Sequence, residues 1–130
     1  MILTRKEKIE KPFESQGGEQ VYEMIGRPED LGGATKHSFG HVVIPAGLSS
    51  RPHYHPEAEE TYAILKGKAR MIVDGKEYLL SPGDVVFIQP PERHQIFAEK
   101  NEDLEFLVVC APAWEPTNSV FIDEPVDTSG

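Results

Sequence analysis

Residues 51–67 read RPHYHPEAEETYAILKG, and this stretch carries the strongest structural signal in the chain. His53 and His55 stand one residue apart between two prolines, which disfavour a helix. On a strand, side chains two residues apart point to the same face, with Cα atoms about 6.6 Å apart. Two imidazoles at that spacing can bind one metal ion. The stretch therefore predicts an extended segment that presents two metal ligands.

A carboxylate and a third histidine complete the predicted ligand set. Glu60 opens the strand that follows the turn PEAE, and Tyr62 shares its face. Strand alternation puts Glu59 on the opposite face, although a register slip of one residue would exchange the two acids. His94 opens another strand after the turn QPPER. Three imidazoles and one carboxylate suit Mn, Fe, Co, Ni, Cu or Zn, whereas Ca and Mg prefer oxygen ligands.

The rest of the chain alternates short apolar runs with turns. The runs are VYEMI, KHSFGHVVI, ETYAIL, ARMIV, KEYLL, VVFI, HQIFA and LEFLVVCA. Asp74-Gly75 lies between two of these runs and predicts a two-residue hairpin turn with positive φ at both positions. About nine or ten strand candidates follow one another closely, and no helical period is visible. The pattern predicts an all-β sandwich or a small closed barrel.

Length and charge limit the domain organisation and the partners. A chain of 130 residues is one domain. We predict an N-terminal arm or linker over residues 1–20, which could also pair with a partner chain as an added strand. Residues 21–112 are predicted to form the barrel, and residues 113–130 a tail that packs on the barrel or on a dimer partner. The net charge of −9, without a run of Lys or Arg, argues against nucleic-acid binding.

The start of the sequence and the length of its apolar runs bear on the expected location. The start, MILTRKEKIEKPF, lacks the apolar stretch of a signal peptide, and no apolar run approaches the length of a membrane span. The single cysteine, Cys110, excludes an internal disulfide. We therefore expect a cytoplasmic protein with no membrane partner.

The spacing over residues 47–67 matches a known motif. It reads Gly47, five residues, His53, one residue, His55, four residues, Glu60, six residues and Gly67. This pattern resembles the first signature of the cupin superfamily without a deviation.

The second cupin signature is degenerate here. Its pattern is Gly, five residues, Pro, one residue, Gly, two residues, His, three residues and Asn. Gly83 opens it and His94 occupies the histidine position, whereas Gln89, Pro91 and Ala98 replace the proline, the glycine and the asparagine. Prolines remain at positions 90 and 91, so we expect the turn to survive, and the predicted ligand is kept.

The resemblance covers residues 21–111 and is closest to small single-domain cupins of the conserved-barrel type. It implies a double-stranded β-helix, or jelly-roll barrel, that often forms homodimers. It also implies one divalent metal ion, such as Mn, Fe, Ni or Zn, bound by three histidines and one glutamate. On this sequence those ligands are His53, His55, Glu60 and His94, the same four that the spacing suggests.

An octahedral ion with four protein ligands leaves two positions for water or for a bidentate oxygen-bearing substrate. We expect a small metal-dependent enzyme, a dioxygenase-like oxidoreductase or a decarboxylase, that acts on a chelating acid. A metal-dependent sugar-phosphate isomerase and a non-catalytic barrel that binds a small ligand stay open. No catalytic residue can be assigned. Arg51 is a candidate to bind a substrate carboxylate, unless it is a solvated side chain, and Tyr62 is a candidate to donate a hydrogen bond or a proton.

Overall fold

The computed structural model describes residues 1–122, which form eleven strands and three single turns of 3₁₀-helix. The strands are β1 (Phe13–Glu14), β2 (Gln20–Ile25), β3 (Ser38–Ile44), β4 (His53–Tyr54), β5 (Glu59–Lys66), β6 (Ala69–Val73), β7 (Lys76–Leu80), β8 (Val85–Ile88), β9 (His94–Ala98), β10 (Leu104–Ala111) and β11 (Val120–Phe121). The 3₁₀ turns are Lys6–Lys8, Glu29–Leu31 and Pro116–Asn118. None of these helical turns in the described part of the chain has the length and apolar character needed to cross a membrane.

The strands build two antiparallel sheets. The six-stranded sheet has the order β1-β2-β3-β10-β5-β8, and the five-stranded sheet has the order β11-β4-β9-β6-β7. One core cluster draws buried apolar side chains from both sheets, with Phe106 and Leu104 from the first and Met71 and Ile96 from the second. The prediction of an all-β jelly-roll barrel is therefore confirmed.

The inward face of β5 follows the predicted alternation. Glu60, Tyr62 and Ile64 are buried, whereas Glu59 is exposed. The ring centroids of Tyr62 and Phe106 lie 4.6 Å apart, so Tyr62 joins the core beside Glu60. The register of β5 is thus the one that the sequence predicted, and Glu60 is the acid that faces the barrel interior.

The Asp74-Gly75 turn joins β6 to β7 as the sequence predicted. Asp74 and Gly75 have φ values of 47° and 82°, and a residue with a short polar side chain or no side chain tolerates that conformation best. Asp74 also anchors the loop that leads to β9, since its backbone N–H donates to the carbonyl of Arg93 at 2.8 Å and its Oδ1 accepts from the N–H of Arg93 at 2.9 Å. The hairpin turn therefore supports the residue that precedes His94.

Both ends of the described chain pack on the barrel. Within residues 1–20, β1 pairs with β2 of the same chain, with Phe13 opposite Val21. At the other end, β11 pairs with β4, with Phe121 opposite His53. The predicted tail also includes residues 123–130, which lie outside the described residues.

Candidate metal centre

The structure brings together all four residues that the sequence singled out as metal ligands. Each offers one nitrogen or oxygen atom, and these atoms all lie within 4.8 Å of one another. All four side chains are buried, and His94 is 0% exposed. The four residues are His53 on β4, His55 just after it, Glu60 on β5 and His94 on β9.

The two sheets contribute to the centre from opposite sides. His53 and His94 are direct neighbours in the β4–β9 register, and their ring centroids lie 4.3 Å apart. The ring of His55 lies 5.0 Å from that of His53. Glu60 reaches the group from the six-stranded sheet. The centre therefore depends on the packing of one sheet on the other.

A backbone carbonyl fixes each of the three imidazoles. In every case the partner is the Nδ1 atom, which must donate its hydrogen because a carbonyl oxygen only accepts. A neutral ring then presents the lone pair of Nε2, which is the atom that binds a metal. The three bonds run from His53 Nδ1 to Arg51 O at 2.7 Å, from His55 Nδ1 to Asn118 O at 2.8 Å and from His94 Nδ1 to Glu92 O at 3.0 Å.

The free nitrogens face the carboxylate of Glu60. The Nε2 atoms of His55 and His94 lie 2.9 and 3.3 Å from Glu60 Oε1, yet both are buried without a hydrogen-bond partner of good geometry. Lone pairs of two nitrogens and a carboxylate oxygen that converge in a buried site need a cation or protons between them. This donor set fits a divalent transition-metal ion or zinc.

The pKa values of Glu60 and His53 shift in the directions that metal binding needs, whereas that of His55 shifts the other way. Burial alone would raise the pKa of Glu60, but the adjacent imidazoles of His55 and His94 outweigh it and hold the pKa well below its usual range. Burial, reinforced by His94, lowers the pKa of His53 to about 4. Burial also acts to lower the pKa of His55, but Glu60 outweighs it and raises the value. At neutral pH Glu60 is thus ionised and His53 neutral, as metal ligands must be.

A cavity of about 300 Å³ adjoins the centre. His53, His55 and Glu60 line it from within the barrel, and aromatic side chains line it from both ends of the chain. The rings of Phe13 and Trp114 lie 6.2 Å apart on this wall. The volume is at the lower end of the range for small-molecule sites, about 300–1,000 Å³.

Tyr62 lies in the place that the sequence predicted. It lines the cavity, and its hydroxyl donates to Glu60 Oε1 at 3.5 Å. Burial, together with the charge of Glu60, raises the pKa of Tyr62 well above its ordinary value. The hydroxyl therefore stays protonated at neutral pH and is a hydrogen-bond donor at the wall of the cavity.

Arg51 does not line the cavity but contacts a residue that does. Its guanidinium sits 4.0 Å over the ring of Phe121, which lines the cavity, whereas Arg51 is not among the described residues that do so. Its backbone carbonyl, however, accepts the bond from His53. A role of the Arg51 side chain in substrate binding stays a prediction.

Two acids of the cavity wall, Glu19 and Glu23, were not predicted from the sequence. Glu19 precedes β2, Glu23 lies within it, and both line the cavity with Val21 between them. Burial, with a smaller contribution from Glu60, raises the pKa of Glu19 to about 7. The alternation EQVYE over residues 19–23 was the available signal, but Glu19 fell inside the predicted arm.

Comparisons with known proteins agree with this architecture. The model of the family Cupin_2, described as the cupin domain, matches residues 40–110. An uncharacterized protein of Methanocaldococcus jannaschii is 28% identical over 123 residues, which are 95% of this chain and 96% of that protein.

One further relative and one solved structure of similar fold carry functional names. A protein of Thermotoga maritima called an oxalate-binding protein is 38% identical over 71 residues, which are 55% of this chain and 59% of that protein. The structure of the polyketide cyclase RemF from Streptomyces resistomycificus superposes with a TM-score of 0.74 at 23% identity and covers 95% of this chain and 88% of its own. The second similarity concerns the fold alone.

Proposed function

We propose, since the chain belongs to the cupin family, that it binds one divalent metal ion and is a small metal-dependent enzyme. Its substrate would be a small molecule that chelates the ion through oxygen atoms. The single observation that carries the proposal is the set of four buried ligand atoms within 4.8 Å of one another, beside a cavity of about 300 Å³. We propose oxygenation or decarboxylation of a chelating acid as the reaction.

Each side chain of the centre has a distinct role in this proposal. His53, His55, Glu60 and His94 would hold the ion, which when bound would supply Lewis-acid polarisation of a substrate oxygen. Tyr62 donates its hydroxyl hydrogen to the Glu60 carboxylate, and the same oxygen could accept a hydrogen bond from a ligand in the cavity. The aromatic side chains that line the cavity would contact the apolar part of the bound molecule.

The relative called an oxalate-binding protein supports a chelating acid as the substrate, although it shares only part of its length with this chain. A sugar phosphate has less support. Lys11 is the one lysine or arginine among the described residues that line the cavity, and Glu19 and Glu23 would repel a phosphate. The non-catalytic barrel that binds a small ligand is the competing proposal, and turnover distinguishes the two.

The first experiment measures metal content by mass spectrometry on untagged protein. We compare the parent with a His53→Ala, His55→Ala double variant and with His41→Ala as the matched control. His41 is a partly exposed histidine whose Nε2 lies 2.9 Å from Glu105, away from the centre. We expect about one equivalent of metal in the parent and the control, and none in the double variant. A parent that stays empty after incubation with each metal in turn would overturn metal binding.

The second experiment tests catalysis on protein loaded with Mn or Fe. We would offer small chelating acids in air and follow oxygen uptake with an electrode and carbon dioxide release by gas analysis. We expect turnover with the parent and none with the double variant. Saturable binding of the same acids without turnover would instead support the non-catalytic barrel.

A further inference from the structure

The wall of the cavity formed by β2 carries two acids that the proposed metal centre does not use. We call Glu19 and Glu23 the acidic wall. They flank Val21 on the inward face of the strand, and all three line the same cavity as His53 and Glu60. The charge of Glu60 acts on Glu19, and that of Glu19 acts on Tyr62. The acidic wall is therefore close enough to influence a molecule bound at the centre.

The acidic wall has free hydrogen-bonding capacity. Oε1 of Glu23 is buried and has no hydrogen-bond partner. In the β2–β3 register Glu23 lies opposite Gly40, which adds no side chain to that part of the cavity. A buried carboxylate oxygen without a donor is costly, and a ligand hydroxyl would supply that donor.

Positive charge near the acidic wall is scarce. Lys11 is the one lysine or arginine that lines the cavity in the part of the chain that the structure describes. Two nearby arginines have other partners: Arg27 lies 3.5 Å from Glu115, and Arg51 covers the ring of Phe121. An ion bound by Glu60 would keep one net positive charge. A ligand with one negative charge would balance the remaining charge of the ion. The second charge of a dianion would instead be repelled by the carboxylates of the acidic wall.

The other described residues that line this part of the cavity include apolar side chains that suit the apolar part of a ligand. The rings of Phe13 and Trp114 pack against each other on one wall with centroids 6.2 Å apart, and Phe121 and Val108 also line the cavity. Such side chains favour a ring over a compact, fully polar ion.

We propose that the acidic wall determines specificity: it selects flat enol-type or hydroxypyranone-type chelators that carry one negative charge and a hydroxyl donor, and it rejects dianions such as oxalate. This inference rests on the proposed metal-binding function and narrows its substrate class. Glu23 accepts the ligand hydroxyl, Glu19 adds its negative charge, and the aromatic side chains contact the ring. Among chelating acids, those with a single negative charge fit best.

The test compares two probes on zinc-loaded protein by isothermal titration calorimetry. Kojic acid chelates as a single anion and carries a hydroxymethyl donor, whereas oxalate chelates as a dianion. Titration at pH 8 keeps Glu19 ionised, because its pKa is about 7. We compare the parent with Glu19→Gln and with the Glu19→Gln, Glu23→Gln double variant. Glu14→Gln is the matched control, an exposed acid on β1 that is not among the described lining residues.

We expect the parent and the control to bind kojic acid more tightly than oxalate. Removing both charges should raise the affinity for oxalate by roughly tenfold or more, and that for kojic acid should change much less. Zinc content and near-ultraviolet circular dichroism, measured for every variant, show whether the centre and the fold are intact.

The outcomes separate the two proposals. A preference of the parent for oxalate, or equal oxalate affinity with and without the acidic wall, overturns this inference and leaves the metal-binding function standing. If fully loaded protein binds neither probe, a chelating substrate is excluded, and the proposed function fails together with the inference.

Discussion

Nδ1 of His55 donates a 2.8 Å hydrogen bond to the backbone carbonyl of Asn118, which lies 63 residues later in the chain. The carbonyl is held in place by the 3₁₀ turn Pro116–Asn118, where Glu115 and Asn118 form a capping box. A second contact comes from Ser119, whose Oγ lies 3.3 Å from the same nitrogen. The orientation of one proposed metal ligand thus depends on a segment outside the barrel strands.

A chain that stops after Trp114 should bind metal about 10–100-fold more weakly, because partners of a ligating histidine contribute about that much to affinity. Competition with a chromogenic chelator measures the change. Ser119→Ala is the control, since it removes the hydroxyl and keeps the carbonyl of Asn118, and its loss should stay below about tenfold. Equal affinities for the shortened chain and the parent would show that His55 needs no support from this segment.

Replacing Asp74 by alanine should lower the free energy of unfolding by about 1–3 kcal/mol. Alanine is disfavoured at a φ of 47°, and the bond from the Arg93 N–H to the carboxylate is lost. Asp74→Asn tolerates the left-handed conformation and keeps an acceptor, so its cost should stay within about 1 kcal/mol. Urea denaturation of the three proteins gives both numbers, and an asparagine variant as unstable as the alanine variant would contradict this explanation.

Phe106 is fully buried, and Phe106→Ala should destabilise the protein by about 3–5 kcal/mol through lost apolar burial and the cavity left behind. Leu79→Ala provides the comparison, because Leu79 is 79% exposed and its loss should cost no more than about 0.5 kcal/mol. Both values come from urea unfolding followed by circular dichroism. Similar costs for the two variants would place Phe106 outside the core.

Glu19 should make the metal-free protein less stable as pH rises from about 4.5 to about 7. Its pKa is 4.5 in the unfolded chain, and burial raises it to about 7 in the folded state. Between these two values the native state holds a proton that the unfolded state has released. Glu19→Gln should therefore gain stability over the parent through the window, keep the gain above it, and match the parent below about pH 4.5. Urea unfolding at pH 4, 6 and 8 in the presence of a chelator measures the difference.

The control for this pH dependence is Glu102→Gln, an exposed acid in the turn before β10. This variant shows how replacing an acid by its amide affects unfolding away from the cavity. A difference between Glu19→Gln and the parent that stays constant over the three pH values would show that burial has no effect on the ionisation of Glu19.

The sequence predicted those parts of the molecule that depend on local pattern. Alternation assigned Glu60 rather than Glu59 to the inward face, and Asp74-Gly75 located a hairpin because few residues tolerate positive φ. The four ligand positions followed from short spacings and from the family motif, and the structure brings the four side chains together.

The remainder depends on long-range packing. The carbonyl of Asn118 carries no sequence signal, because every residue has one. β1 and β11 are two residues long, too short for an apolar period to be visible. Glu19 has a role only because the segment before β2 folds against the cavity, and a single acid in a charged stretch does not reveal that.

The hydrogen bond between His55 and Asn118 also ties the proposed metal centre to a segment that follows every barrel strand in the chain. The centre is complete only after the turn Pro116–Asn118 has folded against the barrel and supplied its carbonyl. We therefore expect tight metal capture to be a late step of maturation, after the strands that carry the four ligands have paired.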